Sequence, residues 1–295
     1  MTSLRLTRSR RWLPAVFLAP SMMLLCCFVF YPTVDAAWTS LTNWNGISSY
    51  SSFVGLRNYV DLFHDSVARQ ALWNTCWYTA LTLPVSIALA FGVALLALRR
   101  GVISRILRLA FTVPFVVSIP VVSVVWVWIL DPNFGILNYG LSLVGIGKQD
   151  WLDQSSLAMV GIAIPSVWRQ AGFFMLILLA GLKGIDPSYL EAATLDGAGF
   201  WTRTFRLILP LLSPQLFFCL IFGVIDSFQV FAQVDLMTQG GPLNSTNVLV
   251  YDLYQEGFSY FHVGYACAMA VVLMLGLGAV TLVQQRWIGS KVFYR

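Results

Sequence analysis

Charge is scarce in this chain. Only 11% of its 295 residues are Asp, Glu, Lys or Arg, where a soluble domain carries about 25%. With 58% hydrophobic residues, an ordinary water-soluble fold is excluded. Histidine is almost missing: His64 and His262 stand alone in polar connecting segments, so the apolar stretches contain no imidazole that could act as a base or hold a metal. The five cysteines, Cys26, Cys27, Cys76, Cys219 and Cys267, lie in or near apolar runs with no CxxC or Cys/His spacing. They read as packing residues. The formal net charge is +5, but the basic residues are dispersed beside hydrophobic runs, which fits membrane topology and not nucleic acid. Gly145-Ile146-Gly147-Lys148-Gln149 lacks the length and the Ser/Thr of a phosphate-binding loop. Asp196-Gly197 opens like a head-group transferase signature, yet the next aspartate is Asp226, and a hard metal needs several oxygen ligands.

Long apolar runs are what the chain does have. A helix needs about 20 apolar residues to cross the hydrocarbon core. Six stretches are long enough: Leu13–Val34, Leu72–Leu98, Leu109–Leu130, Leu157–Leu182, Leu211–Phe231 and Tyr265–Val283. The expected fold is therefore all-α, a polytopic membrane protein of six transmembrane helices. It divides into residues 1–70 (a first helix and an outer amphipathic segment), 71–285 (the main membrane domain) and a tail, 286–295. Arg5, Arg8, Arg10 and Arg11 precede the first run, but that run is too long for a signal-peptide core and has no clear cleavage site, so it is kept as a span.

The sign of the few charges orients the bundle. With both termini in the cytoplasm, the inner segments hold Arg5, Arg8, Arg10, Arg11, Arg99, Arg100, Arg105, Arg108, Lys183, Arg203, Arg206, Arg286, Lys291 and Arg295. The outer ones hold only Arg57, Arg69 and Lys148. Fourteen against three is a strong positive-inside bias. Among the outer connections, Leu56, Tyr59, Val60 and Phe63 have helical spacing, which predicts an amphipathic helix on the membrane surface.

One inner segment is unlike the rest. Asp186-Pro187 reads as an N-cap and first turn, and Ala192 and Ala193 keep the helix surface low. Gly197 stands where a helix would stop in the left-handed conformation. Phe200, Trp201, Phe205 and Ile208 then alternate with Thr202, Arg203 and Arg206 in a second amphipathic turn, expected to end at Pro210. Helix, glycine break and helix between two spans make a rigid projecting knuckle.

Polar residues inside the spans are the remaining signal. Arg169 and Gln170 fall near the middle of the fourth stretch; Asp226, Gln229 and Gln233 occupy the outer part of the fifth. A charge at the bilayer centre costs about 2.5–3.5 kcal/mol or more, so it must face protein or water. Two readings stand: an Arg–Asp pair locking helices, or a polar translocation path. At about 1.5 Å rise per residue, Asp226 lies about 10 Å further out than Arg169. This offset favours a guanidinium that faces a water-filled path and an anionic solute. Pro114 and Pro120 in the third stretch and Pro165 in the fourth predict kinks.

These residues also carry a resemblance. Glu191-Ala192-Ala193-x-x-Asp196-Gly197-Ala198-Gly199, with Phe205, Ile208-Leu209-Pro210 and Pro214, resembles the cytoplasmic loop of permease subunits of binding-protein-dependent ABC importers. Phe53-Val54-Gly55-Leu56-x-Asn58-Tyr59, Asn74-Thr75, Pro114 with Pro120 and Trp126, and Gly240-Gly241-Pro242 with Thr246 look like the carbohydrate-uptake branch. Tyr251-x-x-Tyr254-x-Glu256-Gly257-Phe258 and the ending Ser290-Lys291-Val292-x-Tyr294 look most like its glycerol-3-phosphate/glycerophosphodiester members. Oligosaccharide permeases of the trehalose or maltose type share much of the loop and remain the alternative. The resemblance implies the type I importer permease fold, a multi-pass subunit of the bacterial inner membrane surrounded by lipid, and no catalysis on this chain. The implied partners are a second permease subunit, two ATPase subunits that carry ATP and Mg, and an external substrate-binding protein. It assigns ATPase docking to Glu191, Ala192, Ala193, Asp196, Gly197, Ala198, Gly199, Phe205 and Pro210. A stand-alone secondary transporter would need coupling carboxylates at mid-membrane, and Asp226 alone is available. An intramembrane enzyme would need catalytic groups that are not written here.

Overall fold

In a computed structural model the described residues are 12–289, except 49 and 100; Arg5, Arg8, Arg10, Arg11, Arg100 and the Ser290–Arg295 ending lie outside them. Among the described residues the regular elements are all helices, with one isolated antiparallel bridge, Thr42 to Phe53. In order the helices are α1 Trp12–Leu25, α2 Tyr31–Thr39, α3 Arg57–His64, α4 Ser66–Ala97, α5 Val102–Val116, α6 Ile119–Leu130, α7 Ile136–Leu143, α8 Ser155–Lys183, α9 Pro187–Leu195, α10 Phe200–Arg203, α11 Leu209–Leu211, α12 Ser213–Phe228, α13 Ala232–Met237, α14 Leu249–Tyr254 and α15 Val263–Trp287. Single π-helical turns, Cys26–Phe30, Thr204–Ile208 and Gln255–Ser259, join α1 to α2, α10 to α11 and extend α14.

Among the described residues four helical runs are long and apolar enough to cross a membrane, and the number reaches six if two bent pairs each count as one span. The expected single helix over Leu109–Leu130 is one of those pairs. It is broken at Val117-Ser118, with α5 and α6 at 113°. The cause is local: Pro120 occupies the first turn of α6, where a missing N–H costs nothing, and Ser118 ahead of it is extended. The other pair, Phe200–Leu211 with α12, bends by 69°. α8, by contrast, continues through Pro165.

The structure forms two compact units. One comprises residues 12–64 and 253–272, the other residues 65–252 and 273–289. In the first, Asn58 Nδ2 donates to Ser40 O and Thr42 O at 2.8 Å each, and Tyr59 Oη lies 2.6 Å from Ser40 Oγ. This is why an Asn-Tyr pair follows Phe53-Val54-Gly55: it clamps the chain leaving α2. α3 buries Leu62, while Leu56 ahead of it and Val60 and Phe63 on it are exposed. These three belong to the apolar face predicted for the membrane surface, and the protein leaves them open.

In the second unit, α8 is the central post, packed on α4, α5 and α12. At Gly172 its backbone rides directly on the Phe111 carbonyl of α5, and a Cβ there would overlap that oxygen. Two dry clusters result. One joins Leu83, Ala90, Ala94, Ala171, Phe174, Leu178 and Val224; the other joins Tyr78, Leu130, Ile162, Ala163, Val230, Val234 and Tyr251.

The Gly240–Thr246 loop is pinned to α4. Asn74 Nδ2 donates to Asn244 O and Asn247 O at 2.8 Å each, and Thr75 Oγ1 accepts from Leu249 N at 2.9 Å. Gln239, Leu243 and Asn244 all have positive φ, a conformation non-glycine residues rarely hold without such ties. Asn74→Ala orphans the Asn247 carbonyl at about 1–3 kcal/mol, while Asn244 O keeps Gln70 Nε2 and Asn247 N, each at 3.2 Å. The expected result is normal insertion with a thermal midpoint several degrees lower for the purified protein. An unchanged midpoint would mean that the loop is held by other contacts.

Candidate functional site

The polar layer lies in the seam between the two dry clusters. On α8 the second cluster stops at Ala163 and the first resumes at Ala171; Ser166, Arg169 and Gln170 fill the gap. On α4 the gap between Tyr78 and Leu83 holds Thr79 and Thr82, and after Val224 on α12 it holds Asp226, Ser227 and Gln229. Helix packing brings these three polar intervals to one level. They enclose a cavity of about 300 Å³ lined by Tyr78, Thr82, Ser166, Arg169, Gln170, Asp226, Ser227, Gln229 and Gln233, among others. All five residues singled out in the spans therefore share one space.

The separation expected between Arg169 and Asp226 is corrected by this geometry. Arg169 Nη1 lies 4.0 Å from Asp226 Oδ2, with side chains 18% and 35% exposed. Gln170 Nε2 points to the same oxygen from 3.4 Å. The 10 Å offset assumed a straight fifth helix measured from its outer end. α12 instead ends at Phe228, and the chain turns through Gln229 to Phe231 before α13 begins. Asp226 thus sits two residues from a helix end inside the protein, level with Arg169.

The pair is loose all the same. A 4.0 Å gap exceeds hydrogen-bond range, and Arg169 Nε and Gln170 Oε1 are buried with no hydrogen-bond partner among the described residues. The guanidinium carbon lies 5.7 Å from the centre of the Phe115 ring, a cation–π contact worth about 0.5–2 kcal/mol. Arg108 gives the contrast: its Nη2 donates to Ala97 O at 2.5 Å and to Ser104 Oγ at 3.0 Å, tying α5 to the end of α4. Arg108 is held by close acceptors and Arg169 is not. Tyr78, Thr82, Ser166 and Ser227 are cavity residues that the sequence reading missed. The available signal was their spacing: Tyr78 and Thr82 are i,i+4, and Ser166 stands three and four residues before Arg169 and Gln170.

The knuckle is a separate feature. Asp186 Oδ1 accepts from Ser188 N at 2.9 Å and caps α9, as the Asp-Pro pair predicts. At the other end Gly197 has φ +75°. Ala198 N donates to Ala193 O at 2.9 Å and Gly197 N to Thr194 O at 3.0 Å, the two bonds of a Schellman cap. Arg203 Nη1 donates to Thr194 Oγ1 at 3.0 Å and braces one arm against the other. Glu191, Ala192, Asp196, Gly197 and Gly199 are exposed, and Ala193 and Ala198 partly so. Leu195, 89% exposed, stands out with Phe200, Trp201 and Phe205; Phe200 meets Trp201 edge-on and Trp201 stacks on Phe205. Ile208 turns inward onto the core. The second arm does not end at Pro210. It runs to Leu211 and breaks at Leu212, because the wider π turn over Thr204–Ile208 removes the i−4 carbonyl contact that proline would otherwise block.

Comparison with known proteins supplies the identity of this arrangement. The family described as "Binding-protein-dependent transport system inner membrane component" matches residues 70–294. The permease protein UgpA of the sn-glycerol-3-phosphate transport system is 35% identical in Salmonella choleraesuis (strain SC-B67) over 300 residues, covering 100% of both chains. The protein of the same name from Yersinia enterocolitica is 33% identical over 298 residues, again 100% of both. Among solved structures, a bacterial alginate ABC transporter in complex with an alginate pentasaccharide-bound periplasmic protein matches with TM-score 0.82 at 22% identity, over 94% of each chain. A second alginate importer structure matches with TM-score 0.81 at 21% identity, over 96% of each chain; likeness at this identity speaks to the fold. A multi-pass helical bundle with an exposed knuckle and a polar seam, matched to this family over three quarters of its length and to its curated relatives over all of it, is an ABC importer permease, and the chain belongs to the binding-protein-dependent transport system inner membrane component family.

Proposed function

We propose that this permease subunit forms half of the path for glycerol 3-phosphate or a glycerophosphodiester, and that a separate ATPase drives it through the knuckle. One observation carries the reading. Arg169 faces a polar cavity in the seam of the bundle with no close acceptor of its own, and a guanidinium fork matches a phosphate better than a neutral sugar. The relatives aligned over the whole chain are named for sn-glycerol-3-phosphate transport, which supports the same solute.

The remaining parts follow from charge and surface. With fourteen basic residues on one side and three on the other, both termini and the knuckle lie in the cytoplasm of a bacterial inner membrane. An exposed aromatic row there fits a protein groove and not water. The partners are a second permease subunit completing the path, two ATPase subunits holding ATP and Mg, and an external binding protein delivering solute. Closure of the ATPases around ATP pulls the knuckles, and the bundle exchanges inward for outward access.

The assembled importer in proteoliposomes tests this. ATP-dependent uptake of glycerol 3-phosphate should exceed that of a neutral disaccharide by at least about tenfold, or about 1.4 kcal/mol of discrimination. Equal uptake of the disaccharide, or a functional importer containing no ATPase chain, would end the reading.

A further inference from the structure

The two charges in the cavity share it without satisfying one another. A tight bidentate pair would close Arg169 to any other anion. An arginine with no carboxylate nearby would hold an incoming anion and be slow to let it go, since an uncompensated charge in the bundle is costly. The observed arrangement lies between these limits. Asp226 Oδ2 is 4.0 Å from Arg169 Nη1 and closer, at 3.4 Å, to Gln170 Nε2. Arg169 Nε and Gln170 Oε1 remain a buried donor and a buried acceptor on adjacent residues, with no protein partner among the described residues.

We infer that Asp226 is a built-in competitor for Arg169, which yields the guanidinium to an entering phosphate and then displaces that phosphate so that it leaves. This rests on the cavity being the path of an anionic solute. The cavity lining defines what fits: an anion accepting from Arg169, with hydroxyls met by Ser166, Ser227 and Gln229, which is the pattern of a polyol phosphate. Gln170 also steadies Asp226 through its Nε2, so the carboxylate waits beside the cation and is neither locked to it nor lost to the far wall. A transport site must bind well enough to be entered and weakly enough to be left, and a competing carboxylate at this range supplies the second condition. Asp226 is thus a specificity- and release-determining residue, not a helix lock.

The test uses the permease pair purified with its ATPase subunits in nanodiscs, with radiolabelled glycerol 3-phosphate binding measured in the absence of the binding protein, and uptake by the complete importer measured in proteoliposomes. Asp226→Asn should bind glycerol 3-phosphate about tenfold more tightly while saturated uptake falls about tenfold. Asp226→Glu, whose carboxylate reaches further towards Arg169, should bind it more weakly than the unmodified protein, and it decides the matter if the Asn variant does not assemble. Glycerol should not displace the label, and inorganic phosphate should. Unchanged or weaker binding in an assembled Asp226→Asn complex would overturn the inference alone, as would an Asp226→Glu complex that binds as the unmodified one does. If the unmodified complex binds no glycerol 3-phosphate and imports neutral sugar instead, the anionic path itself falls and the inference falls with it.

Discussion

A Glu191→Lys, Gly197→Val double variant is expected to insert and pair with its partner permease while ATPase recovery falls at least about tenfold and ATP-driven uptake drops to background. The two substitutions act on one surface by different routes. At Gly197 the space around a new Cβ is empty, so no clash occurs. The damage comes from φ +75°, which costs an L-residue about 1–2 kcal/mol and a β-branched one at least that. Relief means unwinding the cap bonds from Ala198 N to Ala193 O and from Gly197 N to Thr194 O, and with them the angle between the two arms. Glu191 is exposed on α9, and reversing its charge puts repulsion on the proposed docking face, a change worth several kcal/mol at a complementary interface. Neither residue touches the dry clusters, so folding of the bundle is spared. Recovery of ATPase by pull-down and uptake in the same membranes check both halves. Normal transport by the double variant would show that the knuckle is not the docking element.

The contrast between the knuckle and the cavity shows which physics a sequence carries openly. Asp186, Pro187 and Gly197 act through bonds within five residues of themselves, so local rules place them correctly. The long apolar runs are equally open, since hydropathy alone marks α4, α8 and α15. Interruptions inside apolar runs are harder. The break between α5 and α6 was written in Ser118-Ile119-Pro120, but a kink and a 113° turn carry the same proline signal. The end of α12 at Phe228 carried no proline or glycine signal, and apolar Val230 and Phe231 follow it. That hidden end placed Asp226 at the wrong depth. Asn58 and Asn74 were visible as motif residues, yet their purpose, binding carbonyls 16 to 173 positions away, belongs to tertiary packing and cannot be read locally. Pro210 misled in the opposite sense: a π turn ahead of it lets the helix pass.

Arg169→Gln is expected to depress uptake of glycerol 3-phosphate by about 100-fold or more while leaving assembly and ATP-stimulated coupling intact. A phosphate held by two guanidinium N–H groups gains about 1.5–3 kcal/mol from each charge-assisted bond, and two such bonds lost at the lower figure already amount to about two decades. Glutamine keeps much of the side-chain volume and one donor, so the cavity wall stays in place. Assembly should survive because Arg169 makes no close hydrogen bond among the described residues to lose; its contacts are the 4.0 Å approach to Asp226 and the Phe115 face. Asp226 keeps Gln170 Nε2 at 3.4 Å, and water in the cavity can serve its other oxygen. Arg169→Lys is the informative intermediate. An ammonium restores the charge but not the planar fork, so it should recover part of the lost rate for the phosphate and give no advantage for a neutral sugar. A structural guanidinium would behave otherwise: Gln would fail to assemble and every solute would be lost together. Uptake of glycerol 3-phosphate and a neutral disaccharide, each normalised to ATPase recovered with the complex, separates the two cases. Undiminished phosphate uptake by the Gln variant would remove Arg169 from the path altogether.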